Sequence, residues 1–480
     1  MMNVFRLERK CLSNSSSTRS SRISTMVRFH IQLSPPVKLT LIPGSFGCFP
    51  RVVRDKQQKY REACESQPDP FIRYQYPELL DKSRAAVAKV LNAPVETIVY
   101  VPNATTGINT IIRNIVWNTD KKDEVLYFSY VSEFISEQHF LTKSRTAYGA
   151  CANTIEYISE VHGSLVESRV INLTYPIEDE DLLTLFKDAI KASRASGKRP
   201  RLAMFDTVSS LPGVRMPFES LTTICKEEGI LSLIDGAHGI GHLALDLAAL
   251  DPDFFTTNVH KWFFVPRGCA LLYIPERNQP LMRSSLPTSH GFVAKTGGSF
   301  RNPLPPNNKG EFVNNFEFVG AIDNTSYLVT SDAIEFREKV CGGENAIMEY
   351  CHKLAKEGGN AVAKILGTRI MDNSTGTLTK DSCLVNVLLP LEISPSKIAG
   401  KHCIDPGQGA IATEWMQEAL IEDFNTFMPI YFFQGQWWTR LSAQIYLELS
   451  DFEWAGAALK AICERAGRGE FLNVVKKVRK

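Results

Sequence analysis

With 480 residues, 44% hydrophobic and 22% charged, and a formal net charge of +2, the chain has the balance of an ordinary globular protein. That length supports two or three domains with ample core, and the near-neutral charge argues against nucleic acid or a membrane surface as partner. Apolar runs such as 384–391 are far too short to cross a membrane, and 11 cysteines without a CxxC pair argue for reduced intracellular thiols rather than a zinc site or a disulfide frame.

Residues 11–24 (CLSNSSSTRSSRIS) are rich in Ser and Arg, and no acidic residue stands between Glu8 and Asp55. Such a composition does not pack a core. It reads as a disordered tail, as sequence ahead of a true start at Met26, or as a mitochondrial presequence. No long apolar segment follows the first basic residues, so a secretory signal is not expected. The chain divides into a tail (1–36), an N-terminal arm (37–80), a large domain (81–325) and a smaller C-terminal domain (326–480).

From residue 81 onward, helical patterns alternate with short β-rich runs. Residues 82–91 read as a helix, 97–101 (TIVYV) as a strand, 106–117 as a helix and 124–128 (EVLYF) as a strand. Strand 201–205, helix 218–228 and strand 231–234 follow, then short strands at 254–257 and 270–274. Alternation with continuously apolar strands predicts a mostly parallel sheet covered by helices on both faces, an α/β fold. The stretch 296–311, rich in Pro, Asn and Gly, reads as a loop. Helices are expected at 324–342, 346–366 and near 413–420, with strands at 382–389 and 440–446: a smaller α+β unit. Residues 130–145 fit neither pattern and read as an unusual insertion centred on 131–145.

Four polar segments each follow a predicted strand: VPNATTG (101–107), DTVSSLPG (206–213), IDGAHGIG (234–241) and TNVHKW (257–262). Open α/β sheets bind ligands at the carboxyl ends of their strands. Lys261 lies between His260 and the apolar run 262–265. An amine among apolar neighbours loses its proton readily and can add to an aldehyde; the plain alternative is a solvated surface lysine. Asp235 ends an apolar run, 26 positions before Lys261. A carboxylate there serves either as a helix N-cap or as the partner that keeps a cofactor's ring nitrogen protonated. Thr105, Thr106 and Gly107 open a helix, where free N–H groups favour a phosphate; an ordinary N-cap by either threonine is the alternative.

Together these segments resemble the class V aminotransferases, enzymes of pyridoxal-phosphate fold type I. DGAHGIG and NVHKW carry the signature, and the likeness runs from about residue 41 to 466. Within the family the chain is most similar to the isopenicillin N epimerase-like branch, which includes the fungal hercynylcysteine sulfoxide lyases and several secondary-metabolite enzymes. PGSFG (43–47), YGACANTI (148–155), FFQGQWW (432–438) and TRLSAQIYLELSD (439–451) carry this narrower match.

The resemblance implies a mostly parallel seven-stranded sheet and pyridoxal 5'-phosphate as cofactor. It makes Lys261 the Schiff-base lysine and catalytic base, and Asp235 the partner of the pyridine nitrogen. Thr105, Asn258 and His260 would hold the phosphate, with the amide of Thr106 or Gly107 helping. Ser210 and His238 would lie near the ring hydroxyl, Tyr148 over the cofactor face as a possible proton donor, and Arg440 on the substrate α-carboxylate. A homodimer and a small amino-acid substrate are also implied, with a cytoplasmic protein expected, or a mitochondrial one if the presequence reading holds. The reaction expected is β-elimination at the C–S bond of a cysteine derivative. Transamination or epimerisation in secondary metabolism is the alternative, and a cofactor-binding but inactive homologue the non-enzyme reading.

Three features depart from the relatives. Leu41, Ile42 and Pro43 stand where they carry Leu-Asn-His. Ala321 stands where a threonine reaches the phosphate across the dimer, and Ala321 has no hydroxyl. The third is the insertion. A persulfide-carrying desulfurase needs a cysteine on a mobile loop; Cys403, in the stretch 400–409, is the candidate, with a plain loop cysteine as the alternative.

Overall fold

The computed structural model describes residues 43–129, 148–297 and 302–473; the expected tail and insertion lie outside these ranges. Helices α1 (Arg51–Ser66) and α2 (Tyr76–Val90) lead into β1 (Ile98–Val101). The chain continues through α3 (Ala104–Asn114), β2 (Asp123–Ser129), α4 (Gly149–Val161) and β3 (Val166–Asn172). Then come α5 (Asp179–Ala195), β4 (Arg199–Asp206), α6 (Phe218–Glu228) and β5 (Leu231–Asp235). Strand β6 (Phe254–Asn258), the single turn α7 (Val259–Trp262) and β7 (Ala270–Tyr273) complete the large unit.

These seven strands form one sheet in the order β1-β7-β6-β5-β4-β2-β3. Strand β7 is antiparallel to both neighbours, and the other four pairings are parallel. The apolar runs are continuous because both faces are covered. Successive residues point to opposite sides: Val125, Tyr127, Leu202 and Met204 pack with Ile108, Ile112 and Ile155 of α3 and α4. Leu126, Phe128, Ala203 and Phe205 pack with Phe186 and Ile190 of α5 and Leu221 of α6. Each such fully buried large side chain contributes about 1.5–3 kcal/mol. Among the described residues no helix is long and apolar enough to cross a membrane.

The C-terminal part contains α8 (Thr330–Lys339), α9 (Glu344–Leu366), β8 (Leu384–Leu388), β9 (Leu391–Ile393) and β10 (His402–Ile404). It ends with α10 (Gly409–Phe424), β11 (Ile430–Phe433), β12 (Gln436–Ser442) and α11 (Leu449–Gly467). Strands β11, β12 and β8 form an antiparallel sheet, and β9 pairs with β10. Helices α9 and α11 touch at Gly358, where a Cβ would stand 2.4 Å from the Phe452 ring.

Several expectations need correction. The helix read at 324–342 is two helices, Thr325–Leu328 and Thr330–Lys339, broken at Val329 (φ −83°, ψ 3°). There the Leu328 carbonyl accepts the Ser83 hydroxyl at 2.8 Å. The strand read at 440–446 begins earlier, at Gln436, because Gln434 (φ 48°) and Gly435 (φ 76°) form the tight turn of a β11–β12 hairpin. Cys403 lies on strand β10 rather than in a loop. Strand β3 (VESRVIN) escaped the sequence reading because it is an edge strand with few buried residues and no apolar run.

Candidate active site

Strand order brings the polar segments together. In the register of β4 and β5, Asp206 stands opposite Asp235. Strand β5 pairs in turn with β6, which runs straight into α7 and Lys261. Asp235 is buried, 4% exposed, so packing rather than water surrounds it. Its Oδ1 accepts the Ala237 amide at 3.0 Å, and the Cys151 thiol of α4 donates to Oδ2 at 3.7 Å. Ala237 begins a turn rather than a helix, so Asp235 is no helix N-cap. Burial pushes the Asp235 pKa up, against the pull of the Ala237 amide, Lys261 and the thiol. Asp206 is raised well above the carboxylate range, by burial first and the neighbouring Asp235 charge second. Such a pair favours sharing one proton.

Burial lowers the Lys261 amine to about 8, with Arg440 pushing the same way and Asp235 and Asp206 opposing. Its Nζ lies 3.0 Å from His238 Nε2. His238 is itself buried; burial holds its pKa well below the usual imidazole value, and the Lys261 and Arg440 charges add to the effect.

Arg440 reaches the same place from the C-terminal sheet. It lies in β12 opposite Asn386 of β8 and is 1% exposed. Its Nη1 donates to the Ser210 carbonyl at 2.5 Å and faces the Ser210 hydroxyl at 3.4 Å, while Nη2 donates to the Ser45 hydroxyl. Ser210, expected beside a ring hydroxyl, is thus drawn to Arg440. Gly213 permits the approach, since a Cβ there would stand 2.8 Å from Arg440 Cδ. Ser45 belongs to the PGSFG segment, which Gly47 fastens to α7: at φ 68°, a Cβ would sit 1.6 Å from the His260 carbonyl oxygen.

At the start of α3 the N-cap is Asn103, not either threonine. Its side chain accepts the Thr106 amide at 2.8 Å, and its carbonyl accepts the Gly107 amide at 3.2 Å. The two amides expected to help a phosphate are therefore already committed. The Thr106 hydroxyl also bonds Asn103, at 3.1 Å. Asn258 Oδ1 accepts the Ala104 amide at 2.9 Å, which ties the end of β6 to the start of α3 and leaves the Asn258 amide NH₂ to donate. His260 Nδ1 donates to the Cys269 carbonyl at 2.8 Å, leaving Nε2 for a ligand; burial lowers its pKa to about 4. Thr105, Asn258 and His260 thus come from three elements, α3, β6 and α7, of which β6 runs directly into α7 and is tied to α3 through Asn258.

The aminotransferase class V profile matches residues 49–136 and 173–301. An L-cysteine desulfhydrase-like protein, lolT2 of Epichloe uncinata, is 38% identical over 89% of this chain and 91% of its own. The chain belongs to the class V aminotransferase family. Hercynylcysteine sulfoxide lyase of Schizosaccharomyces pombe is 31% identical over 90% of this chain and 96% of its own. A solved C-DES mutant with glycine covalently linked to its PLP cofactor shares the fold, with a TM-score of 0.66 at 16% identity over 90% of this chain and 98% of its own.

Two positions singled out from the family pattern stand apart from the buried cluster. Tyr148 precedes α4 and is 53% exposed. Ala321 lies in an exposed turn after Gly320. Four residues of the site were given no role from sequence: Asp206, Cys151, Ser45 and Trp262. Asp206 and Trp262 each end or follow a strand within a quoted motif, which was a usable signal. Cys151 and Ser45 also lie in quoted segments, YGACANTI and PGSFG, but their roles depend on the packing that brings Cys151 to Asp235 and Ser45 to Arg440.

Proposed function

We propose that this chain is a pyridoxal-phosphate enzyme that cleaves the C–S bond of a cysteine-derived amino acid. The observation that carries the reading is a partly buried amine at Lys261, its pKa lowered toward neutrality, beside the paired carboxylates Asp206 and Asp235 at adjacent strand ends. The residues present fit the cofactor. Lys261 can be uncharged and so hold an aldehyde covalently. Asp235 is a buried carboxylate with a single strong donor, which suits a protonated ring nitrogen. Asn258 is tied to the start of α3 beside Thr105, and His260 follows two residues later with Nε2 left for a ligand; these three would hold a phosphate.

When bound, pyridoxal phosphate supplies an electron sink for the pair left at the substrate Cα. Arg440 binds the substrate α-carboxylate; its buried guanidinium, oriented by Ser210 and Ser45, offers a planar fork that a flexible lysine does not. Lys261 takes the Cα proton, since a base close to neutrality both accepts and returns protons readily. Burial of Asp235 and Arg440 excludes water from the charges they hold. The C–S specificity rests on the relatives, one named desulfhydrase-like and one a sulfoxide lyase. We also propose a homodimer, from the family pattern.

The test is an absorption spectrum of the purified protein before and after borohydride, beside Lys261→Ala. A visible band that borohydride removes and the variant lacks supports the cofactor reading; its absence after added pyridoxal phosphate overturns it. Release of pyruvate and ammonia from cysteine conjugates or sulfoxides without a keto-acid acceptor supports the lyase. A strict need for an acceptor would instead mark an aminotransferase.

A further inference from the structure

The contacts around Lys261 form a hydrogen-bond chain with one possible direction. The indole Nε1–H of Trp262 can only donate, and it reaches His238 Nδ1 at 3.1 Å. Nδ1 is therefore the unprotonated ring nitrogen, and a neutral imidazole must carry its proton on Nε2. Nε2 faces Lys261 Nζ at 3.0 Å. An ammonium has three donors and no acceptor, so it would set donor against donor; a free amine has the lone pair that closes the bond.

We propose that Trp262 is a positioning residue: by donating to Nδ1 it locks His238 in the Nε2–H tautomer, and that tautomer selects the uncharged, nucleophilic form of Lys261. The assignment of Lys261 as the cofactor lysine gives this device its purpose, while the tautomer is a property of the protein without cofactor.

The surroundings show why such a device is needed. Burial disfavours the ammonium and Arg440 from β12 does the same, while Asp235 from β5 and Asp206 from β4 favour it; the Cys151 thiol from α4 stays protonated. His238 and His242 are buried, with His260 close by, and their low pKa values keep them uncharged. A proton on His238 would add a second cation beside Arg440. Trp262 is held firmly enough to act as a reference. It is 2% exposed, His242 packs edge-on against it with ring centroids 4.6 Å apart, and its carbonyl accepts Arg337 Nη1 at 2.9 Å. A Cβ at Gly44 would stand 2.9 Å from its ring, so the PGSFG segment closes the other side.

The test uses cofactor-free full-length protein labelled with ¹⁵N in its histidines. Two-bond ¹H–¹⁵N spectra read which ring nitrogen carries the proton, and the signal lost in His238→Gln assigns the residue. The expected result is an unprotonated Nδ1 and a protonated Nε2 in the wild type across neutral pH. A protonated Nδ1 overturns the proposal, whatever any variant does. In Trp262→Phe, the two tautomers are expected to mix. The apparent pKa of Lys261, followed by the pH dependence of its acetylation in the mass spectrum, should rise from about 8 by roughly one unit, about a tenfold slower reaction at neutral pH. A folded Trp262→Phe with an unchanged Lys261 profile overturns it too. Neither readout needs pyridoxal phosphate, so failure here is separable from failure of the cofactor reading.

Discussion

Asp123 and Asp235 are both buried carboxylates on parallel strands of one sheet, and their surroundings drive their acidities in opposite directions. Asp123 begins β2, at the amino edge. It accepts the Asn118 amide at 2.8 Å, the Asn118 side chain, Arg199 Nε at 2.7 Å and Arg201 Nη1 at 2.9 Å. Burial alone would raise its pKa, but these donors outweigh it and hold the group below the usual value. Asp235 ends β5, at the carboxyl edge, with one amide and one thiol, and its pKa is raised. The amino edge carries a satisfied charge that fastens the fold. The carboxyl edge keeps charges short of partners, which is how a site waits for a ligand.

The sharpest way to break this comparison is to remove the chemistry without the fold. Lys261→Ala should abolish the borohydride-sensitive band and lower turnover by more than about 10³-fold, with an unchanged thermal melt. Asp235→Asn should cost roughly 10²–10³-fold in kcat while leaving the urea midpoint unchanged or higher, since a raised-pKa carboxylate is no source of stability at neutral pH. Arg440→Lys should raise KM for an amino-acid substrate about 10- to 100-fold with little change in kcat, because the carboxylate loses a bidentate, charge-assisted contact.

Asp123→Asn should do the reverse: kcat unchanged, but stability lower by about 1–3 kcal/mol in urea titrations. The signs with pH follow. A depressed carboxylate gives stability that is full above its unfolded pKa of about 3.9 and is lost as pH falls through the folded value. Asp123→Asn should therefore flatten the acid side of the stability curve, and Asp235→Asn should not. The smallest effect is kinetic. Lys261 is protonated below about 8 and free above it, so uptake of pyridoxal phosphate by the apoprotein, followed by absorbance, should speed up through that pH and level off.

Much of the large unit was legible in the sequence because both faces of the sheet are buried. Runs such as Leu202–Phe205 are then apolar throughout, and helices between them show their own period. The edge strand β3 was not legible, since exposure leaves it Glu, Ser and Arg. The break at Val329 was not legible either, because a distant hydroxyl, Ser83, takes a carbonyl there. Among the site residues, Asp235 stood out because it ends an apolar run and Lys261 because it precedes one, each within a polar motif. The commitment of the Thr106 and Gly107 amides to Asn103 did not, since capping geometry depends on one side chain's rotamer.

By itself the sequence determined the period of burial, hence the α/β class, and the placing of polar segments after strands, hence an edge where a ligand binds. Both follow from local rules: alternation along a strand and turns where strands stop. Only the tertiary structure decided which strands are neighbours. That order sets Asp206 opposite Asp235, brings Arg440 to Ser210 across 230 positions of chain, and turns Trp262 onto His238. Contacts at such separations depend on sheet order and packing, which no local pattern encodes.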